Sequence, residues 1–250
     1  MKLINESVWK FDSVKYGAYM ALFLSCLQLV LQEVYNANIL PEPYQTIASL
    51  GLMFLAVLIG RKKAQPNLNH NQTLGFVTVT AGHSNVDPGA VSGKFKEAEL
   101  VTNFRSAVAY YLKSSGISIK TDGVGTTNNP LASAIKLIKG SSVAVEFHLN
   151  AAGSGQANGV ETIALPKDKK LAQDLSKAVA AALGSRLRGN EGWIDQIQSA
   201  RGKLGFISNG GLIVELGFIS NEDEISRFNA RYWLAAKAVA DVLIDYEKRN

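Results

Sequence analysis

His83 follows the run VTVTAG, and His148 lies inside VAVEFHLNA, so each imidazole stands at or just beyond the end of a β-rich run. A single histidine in such a position is more often a core or loop residue than a ligand. Two of them, with acids at other strand and helix ends, fit a metal site better. Zn2+ is well served by two imidazoles and one carboxylate, which leave a fourth position for a water whose pKa the metal lowers to about 7. No HExxH helix is present, so distant segments have to assemble any such site. The absence of a GxSxG elbow disfavours serine-based hydrolysis.

Four acids bear on that chemistry. Glu97 opens a helical run after the glycine-containing loop 87–93, which returns its carboxylate toward the strand edge carrying His83. The plainer alternative is a favourable charge at a helix N-terminus, worth about 0.3–1 kcal/mol. Glu99 shares that alternative, and the residues alone leave the choice between the two open. Glu215 lies in GLIVELGFIS, an apolar strand expected to be buried on both sides, where an unpaired carboxylate is costly. An activated water beside it would explain it: burial raises its pKa and a metal lowers it, so it can accept a proton from water and return it to a leaving amine. Glu146 shares a strand face with His148 and either orients that imidazole or forms a salt bridge at the rim.

The elements that must carry these residues alternate between β-rich and helical runs from Leu74 onward. Strands are expected at Phe76–Thr80, Ile117–Thr121, Val143–Leu149, Gly159–Leu165 and Leu212–Leu216, with helices at Glu97–Ser114, Pro130–Lys139, Lys167–Leu187 and Ala230–Glu247. Strands separated by helices of this length predict an α/β fold with a mostly parallel sheet, whose functional residues collect where strands end.

The first 60 residues differ in kind. Tyr16 to Leu31 and Tyr44 to Gly60 carry no charged residue, so spans of about 16–32 and 43–60 predict an N-terminal transmembrane helical hairpin over residues 1–63. Apolar character on all faces argues against a pair of globular helices, and the absence of a cleavage site argues against a secretory signal. Residues 64–73 read as a polar linker, and His70 within it reads as a solvated residue. The single Cys26 rules out an internal disulfide and a cysteine metal cluster. The formal charge of +5 suits an anionic partner. Lys and Arg are scattered without interleaved aromatics, so no nucleic-acid partner is expected.

In order, TAGHSNVDPGA, KEAELV, EFHLNA, GVETIAL and IVELGFISNEDE resemble the motifs of the zinc-dependent N-acetylmuramoyl-L-alanine amidases of the amidase 3 type, over about residues 74–248. The resemblance implies Zn2+ held by His83, Glu97 and His148, with Glu215 as catalytic acid/base, and it selects Glu97 over Glu99. It implies a twisted six-stranded sheet flanked by helices over residues 74–250. The substrate it implies is the peptidoglycan amide between N-acetylmuramic acid and L-alanine. Departures are Ser84, where glycine is commoner, and Glu146, where serine is commoner. The long inhibitory insertion of cell-division amidases is missing, so an open site controlled by location is expected. Asn150 and Arg201 are polar candidates for gripping substrate, each equally readable as a structural hydrogen-bonding residue.

The N-terminal hairpin resembles small two-span phage holins, which implies a phage endolysin fused to a holin-like segment, with self-association through the membrane helices. A bacterial membrane-anchored amidase for wall remodelling and a non-catalytic wall-binding module are the competing readings. Lys2, Lys10 and Lys15 precede the first apolar run and Arg61, Lys62 and Lys63 follow the second, whereas the connection 32–43 carries Glu33 and Glu42 and no Lys or Arg. The positive-inside bias then puts both termini in the cytoplasm of the bacterial host until lysis, with the chain in the inner membrane. Protease added outside spheroplasts should leave the C-terminal domain intact; its digestion from that side would reverse the topology.

Overall fold

A computed structural model of the chain describes residues 75–199 and 201–249. The expected membrane hairpin, its linker and His70 lie outside the described residues. By its contacts the chain divides into two units, Met1–Asn71 and Gln72–Asn250. Among the described residues no helix is long and apolar enough to cross a membrane.

The elements are β1 (Phe76–Ala81), β2 (Val91–Ser92), β3 (Phe95–Lys96), α1 (Glu97–Ser114), β4 (Ile119–Thr121), α2 (Leu131–Ile138), β5 (Ser141–Asn150), β6 (Glu161–Ala164), α3 (Lys169–Leu183), β7 (Trp193–Asp195), α4 (Gly205–Ser208), β8 (Leu212–Phe218) and α5 (Glu222–Arg249). Strands β2 and β3 form a small hairpin, and the other six make one sheet in the order β4-β1-β5-β8-β6-β7. All neighbours run parallel except β6 and β8. The expected mostly parallel six-stranded sheet with helices is thus present.

Strand alternation gives the sheet two unlike faces. Val143, Val145, Phe147 and Leu149 of β5, with Leu212, Val214 and Leu216 of β8, enter the larger core, where they meet buried residues of α1, α3 and α5 such as Phe104, Leu175 and Leu243. The opposite face is apolar only in part. There α2 and α4 bring Ala134, Ile138, Phe206 and Ile207 onto Ala144, Ile163 and Ile213. Toward the C-terminal ends of β1, β5 and β8 that same face carries Thr80, Glu146, His148 and Glu215 instead. This is the edge at which open α/β sheets present functional groups.

Differences from the sequence expectation lie at element ends. Helix α5 begins at Glu222 and not at Ala230, because its first turn is polar and so hides the apolar period. Asn221 caps it by accepting from the Glu224 N–H at 3.0 Å. The Glu224 carboxylate then accepts from the N–H groups of Phe218 and Gly159, at 2.8 and 2.9 Å, and joins the end of β8 to the start of β6. Helix α3 stops at Leu183 because Gly184 adopts a left-handed conformation, φ 68°. Strand β7 is too short and half-buried to show a period.

A buried ionic network fixes the loops around the first histidine. Arg105 of α1 donates through Nη1 to Asp122 and Asn128, both at 2.9 Å, and through Nη2 to the carbonyls of Gly125 and Thr127. Asp122 accepts from the Ala81 N–H at 3.1 Å, and Asn128 donates to the carbonyls of Ala81 and His83, both at 3.0 Å. Burial raises the Asp122 carboxyl above the usual range despite the guanidinium beside it. Removing one partner of a buried pair strands the other. Arg105→Met should therefore lower stability by about 3–5 kcal/mol, read as a drop in urea midpoint, and Asp122→Asn in the same chain should recover part of the loss. An unchanged midpoint would refute this account.

Candidate metal and catalytic centre

The loop after β1 turns sharply at His83, whose φ of 68° is left-handed, a conformation histidine tolerates better than most residues. The turn aims the imidazole at the N-terminus of α1. His83 Nδ1 lies 3.0 Å from Asp87 Oδ2, which fixes the ring by its outer nitrogen. Its inner nitrogen, Nε2, lies 3.0 Å from Glu97 Oε2, yet the two are out of line for a hydrogen bond and Nε2 is buried without a partner.

His148 repeats the arrangement from β5. Its Nε2 lies 3.2 Å from Glu146 Oε1, and its Nδ1 lies 3.0 Å from Glu97 Oε1. Each imidazole thus has a carboxylate on its outer nitrogen and turns its inner nitrogen toward Glu97. That is the pattern in which a carboxylate sets the tautomer of a metal-binding histidine.

Glu97 is 3% exposed and held as a structural centre. Oε2 accepts from the Ala90 N–H at 2.9 Å, and Oε1 accepts from the Leu149 N–H at 3.0 Å. Glu99 instead points outward and pairs with Lys96 at 3.0 Å. Ligand atoms of His83, Glu97 and His148 all lie within 4.8 Å of one another, close enough to hold a metal ion. Those nitrogen and oxygen donors, with one nitrogen orphaned, fit Zn2+.

Electrostatics bind the three together. Burial pushes the Glu97 carboxyl up, but the hydrogen bond with His148 and the close approach of His83 outweigh it and hold it well below the usual range. Contact with Glu97 raises His83. Burial lowers His148, while Glu146 and Glu97 together raise it well above its ordinary value. Ligation requires both imidazoles neutral, so metal would displace protons from this cluster.

Glu215 stands in register with His148 on the next strand. It is partly and not wholly buried as a residue, but its Oε2 is shielded and has no hydrogen-bond partner. Burial pushes its carboxyl up to about 7, with the charge of His148 pulling the other way. A carboxyl poised there can both accept and donate a proton near neutrality.

The remaining sequence candidates divide. Asn150 is committed to Glu161, donating at 2.9 Å, so it braces the site. Arg201 is exposed on the loop ahead of α4 and acts on Glu215 only through its charge. Glu146 is buried beside His148, as the shared strand face implied, and accepts from Thr80 Oγ1 at 3.3 Å. Asp87 escaped notice in the sequence, although its position four residues after His83 was a usable signal.

Glycines make the cradle possible. A Cβ at Gly82 would lie 2.2 Å from His148 Cε1, and one at Gly89, where φ is 67°, would lie 2.5 Å from His83 Cδ2. Gly82→Ala should displace His148 and weaken divalent-metal affinity by about tenfold or more, the scale of supporting-residue effects at metal sites. A competition titration with a chelating indicator measures this, and unchanged affinity would disconnect Gly82 from the site.

Residues 77–245 match the amidase 3 family, N-acetylmuramoyl-L-alanine amidase, whereas no curated protein matches the chain. A solved structure from Neisseria meningitidis, assigned as an N-acetylmuramoyl-L-alanine amidase, is 42% identical with a TM-score of 0.65, over 68% of this chain and 94% of that one. The catalytic domain of CwlV, an N-acetylmuramoyl-L-alanine amidase from Bacillus (Paenibacillus) polymyxa var. colistinus, is 25% identical with a TM-score of 0.56, over 70% of this chain and 99% of that one. An N-acetylmuramoyl-L-alanine amidase from Clostridium difficile 630 shares the fold at 20% identity and a TM-score of 0.59, over 70% and 97% of the two chains. With more than half its length matched and the orphaned nitrogen, cradle and poised carboxyl in place, the chain belongs to the N-acetylmuramoyl-L-alanine amidase family of enzymes.

Proposed function

We propose that the chain is a zinc hydrolase that cleaves the peptidoglycan amide between N-acetylmuramic acid and L-alanine. In this reading His83, Glu97 and His148 hold the metal and Glu215 is the catalytic acid/base. The observation that carries it is the juxtaposition, on adjacent strands, of the metal-binding cluster with a shielded, partnerless carboxyl oxygen.

Zinc, when bound, supplies a Lewis acid that polarises the scissile carbonyl and acidifies water. Glu215 removes a proton from the attacking water, whose oxygen bonds to the carbonyl carbon. As the carbon–nitrogen bond breaks, Glu215 returns that proton to the leaving nitrogen, giving a muramic carboxylate and a free peptide amine. Asp87 and Glu146 keep the imidazoles oriented throughout, and the cradle at Gly82 and Gly89 keeps other side chains out of the space the imidazoles fill.

The N-terminal part of the proposal rests on its two uncharged apolar runs and their flanking lysines and arginines. We read it as a holin-like hairpin that self-associates in the bacterial inner membrane and carries the amidase on the cytoplasmic side until lysis, as in a phage endolysin. Membrane lesions then give the enzyme access to the wall.

The test is mass spectrometry of purified peptidoglycan digested by the full chain, with and without chelator and added zinc. Free peptides beginning at L-alanine, lost with chelator and restored by zinc, are expected. Glu215→Gln should keep its zinc and lose at least about a hundredfold in rate, the lower end of what a general acid–base contributes. Near-normal turnover by that variant would remove Glu215 from the role, and a folded, zinc-loaded chain that releases no peptide would favour a wall-binding module.

A further inference from the structure

Arg188 is polar machinery that the hydrolytic step leaves unused. It follows Leu187, which bridges in parallel to Val160 just before β6, and the Arg188 N–H donates to the Val160 carbonyl at 2.9 Å. Leu187 packs against the larger core, so alternation turns Arg188 to the opposite face, the one carrying Glu161, Glu215 and His148. There its Nε donates to Glu161 Oε2 at 2.7 Å and its guanidinium lies over the Phe218 ring, 4.9 Å from the centroid. Nη1 reaches the Asn158 carbonyl at 3.4 Å.

Glu161 is itself 6% exposed and braced on its other oxygen by Asn150. Arg188 is therefore aimed and held, while its Nη2 makes no hydrogen bond among the described residues and its side chain keeps 30% of its exposure. A guanidinium fixed at Nε with an open edge is a preformed receptor for a planar anion.

Its place in the sheet says which anion. Glu161 of β6 lies directly opposite Glu215 of β8, so the Arg188 backbone is two strands from the catalytic carboxyl, on the order of 10 Å. That span is covered by two to three residues of extended peptide, at about 3.3–3.6 Å each. On the far side of the metal cluster, toward β4, lies a groove of about 630 Å3 whose lining includes Asn85, Thr102, Asn103 and Thr126. Its charged pair, Lys96 and Glu99, is matched within itself. Neutral amide and hydroxyl groups suit sugar hydroxyls and N-acetyl groups, and leave the cationic flank to the peptide.

We infer that Arg188 is a specificity-determining residue that binds a carboxylate on the peptide side of the scissile bond, such as the free α-carboxylate of a γ-linked acidic residue next after L-alanine. The inference rests on the amidase reading of the site. Two substrates separate the possibilities: N-acetylmuramoyl-L-Ala-γ-D-Glu-L-Lys and the same molecule with the α-carboxylate converted to an amide. The zinc-loaded full chain should prefer the carboxylate by about tenfold or more in kcat/KM, the scale of one charge-assisted hydrogen bond, with the difference residing in KM.

Arg188→Gln should collapse that ratio toward unity, and Arg188→Lys should keep part of it. Because Arg188→Gln strands the buried Glu161, the double variant Glu161→Gln/Arg188→Gln, which removes both charges, should collapse the ratio too. Arg201→Gln, the other cation near Glu215, should leave the ratio intact. Absence of a preference in the unaltered chain, its survival in the double variant, or its loss with Arg201→Gln would each overturn the assignment. If the chain cleaves neither substrate nor intact peptidoglycan, the amidase reading fails and takes Arg188 with it.

Discussion

The candidate site hangs on one buried carboxylate. Glu97 starts α1, and its two oxygens bond to backbone N–H groups of both neighbouring segments, the Ala90 loop and the end of β5, while facing both imidazoles. A charge 3% exposed persists only when its surroundings supply hydrogen-bond donors or opposite charge. Those donors fix three elements relative to one another: the loop after β1, the first turn of α1 and the end of β5. The helix N-terminus adds a further favourable field. The fold therefore has to be complete before the cluster exists, which is why residues more than 60 apart in sequence can present ligand atoms within 4.8 Å.

The two-faced sheet explains how such polarity is tolerated. One face is sealed by α1, α3 and α5 and buries nearly everything it carries. The other is sealed only over part of its area by α2 and the short α4, so the C-terminal ends of β5 and β8 stay open to substrate while their backbones remain in the ladder. Successive residues of β5 alternate between Val145 and Phe147 in the core and Glu146 and His148 in the site. A one-residue slip of register would exchange the two sets. The packing of Phe147 against Phe104, 4.9 Å between centroids, thus also positions His148.

Much of this was legible in the sequence, for identifiable reasons. Helix α1 was placed to the residue because its apolar period is strong and Gly93 precedes it. The strand carrying His148 was clear because its alternation is uninterrupted, and the face shared by Glu146 and His148 follows from that alternation alone. The choice of Glu97 over Glu99 was not available from periodicity: both occupy the first helical turn, and only the tertiary contacts with Ala90 and Leu149 separate them. Asp87 offers only its spacing from His83 as a signal, and Glu161 is out of reach in role, since its partners Asn150 and Arg188 are distant in sequence. The start of α5 is not legible because Glu222, Asp223 and Glu224 make its first turn polar, Glu224 serving the junction between β6 and β8, and so carry no amphipathic signal.

Two buried polar atoms stand without partners where the chemistry is proposed, His83 Nε2 and Glu215 Oε2. Each such atom costs a folded protein about 1–3 kcal/mol; Arg227 Nε and Glu247 Oε1 on α5 are two more among the described residues, whereas Arg105 reaches four acceptors. What sets the pair at the site apart is its place at the C-terminal edge of the sheet, His83 Nε2 facing Glu97 and Glu215 in register with His148. A sequence shaped for stability alone would have closed both with a hydroxyl or an amide. Leaving them open keeps one lone pair aimed at a cation and one carboxyl free to exchange a proton. The local deficit is carried by the packing of the opposite face, so the stability of the domain and the reactivity of its cleft are properties of two different sides of one sheet.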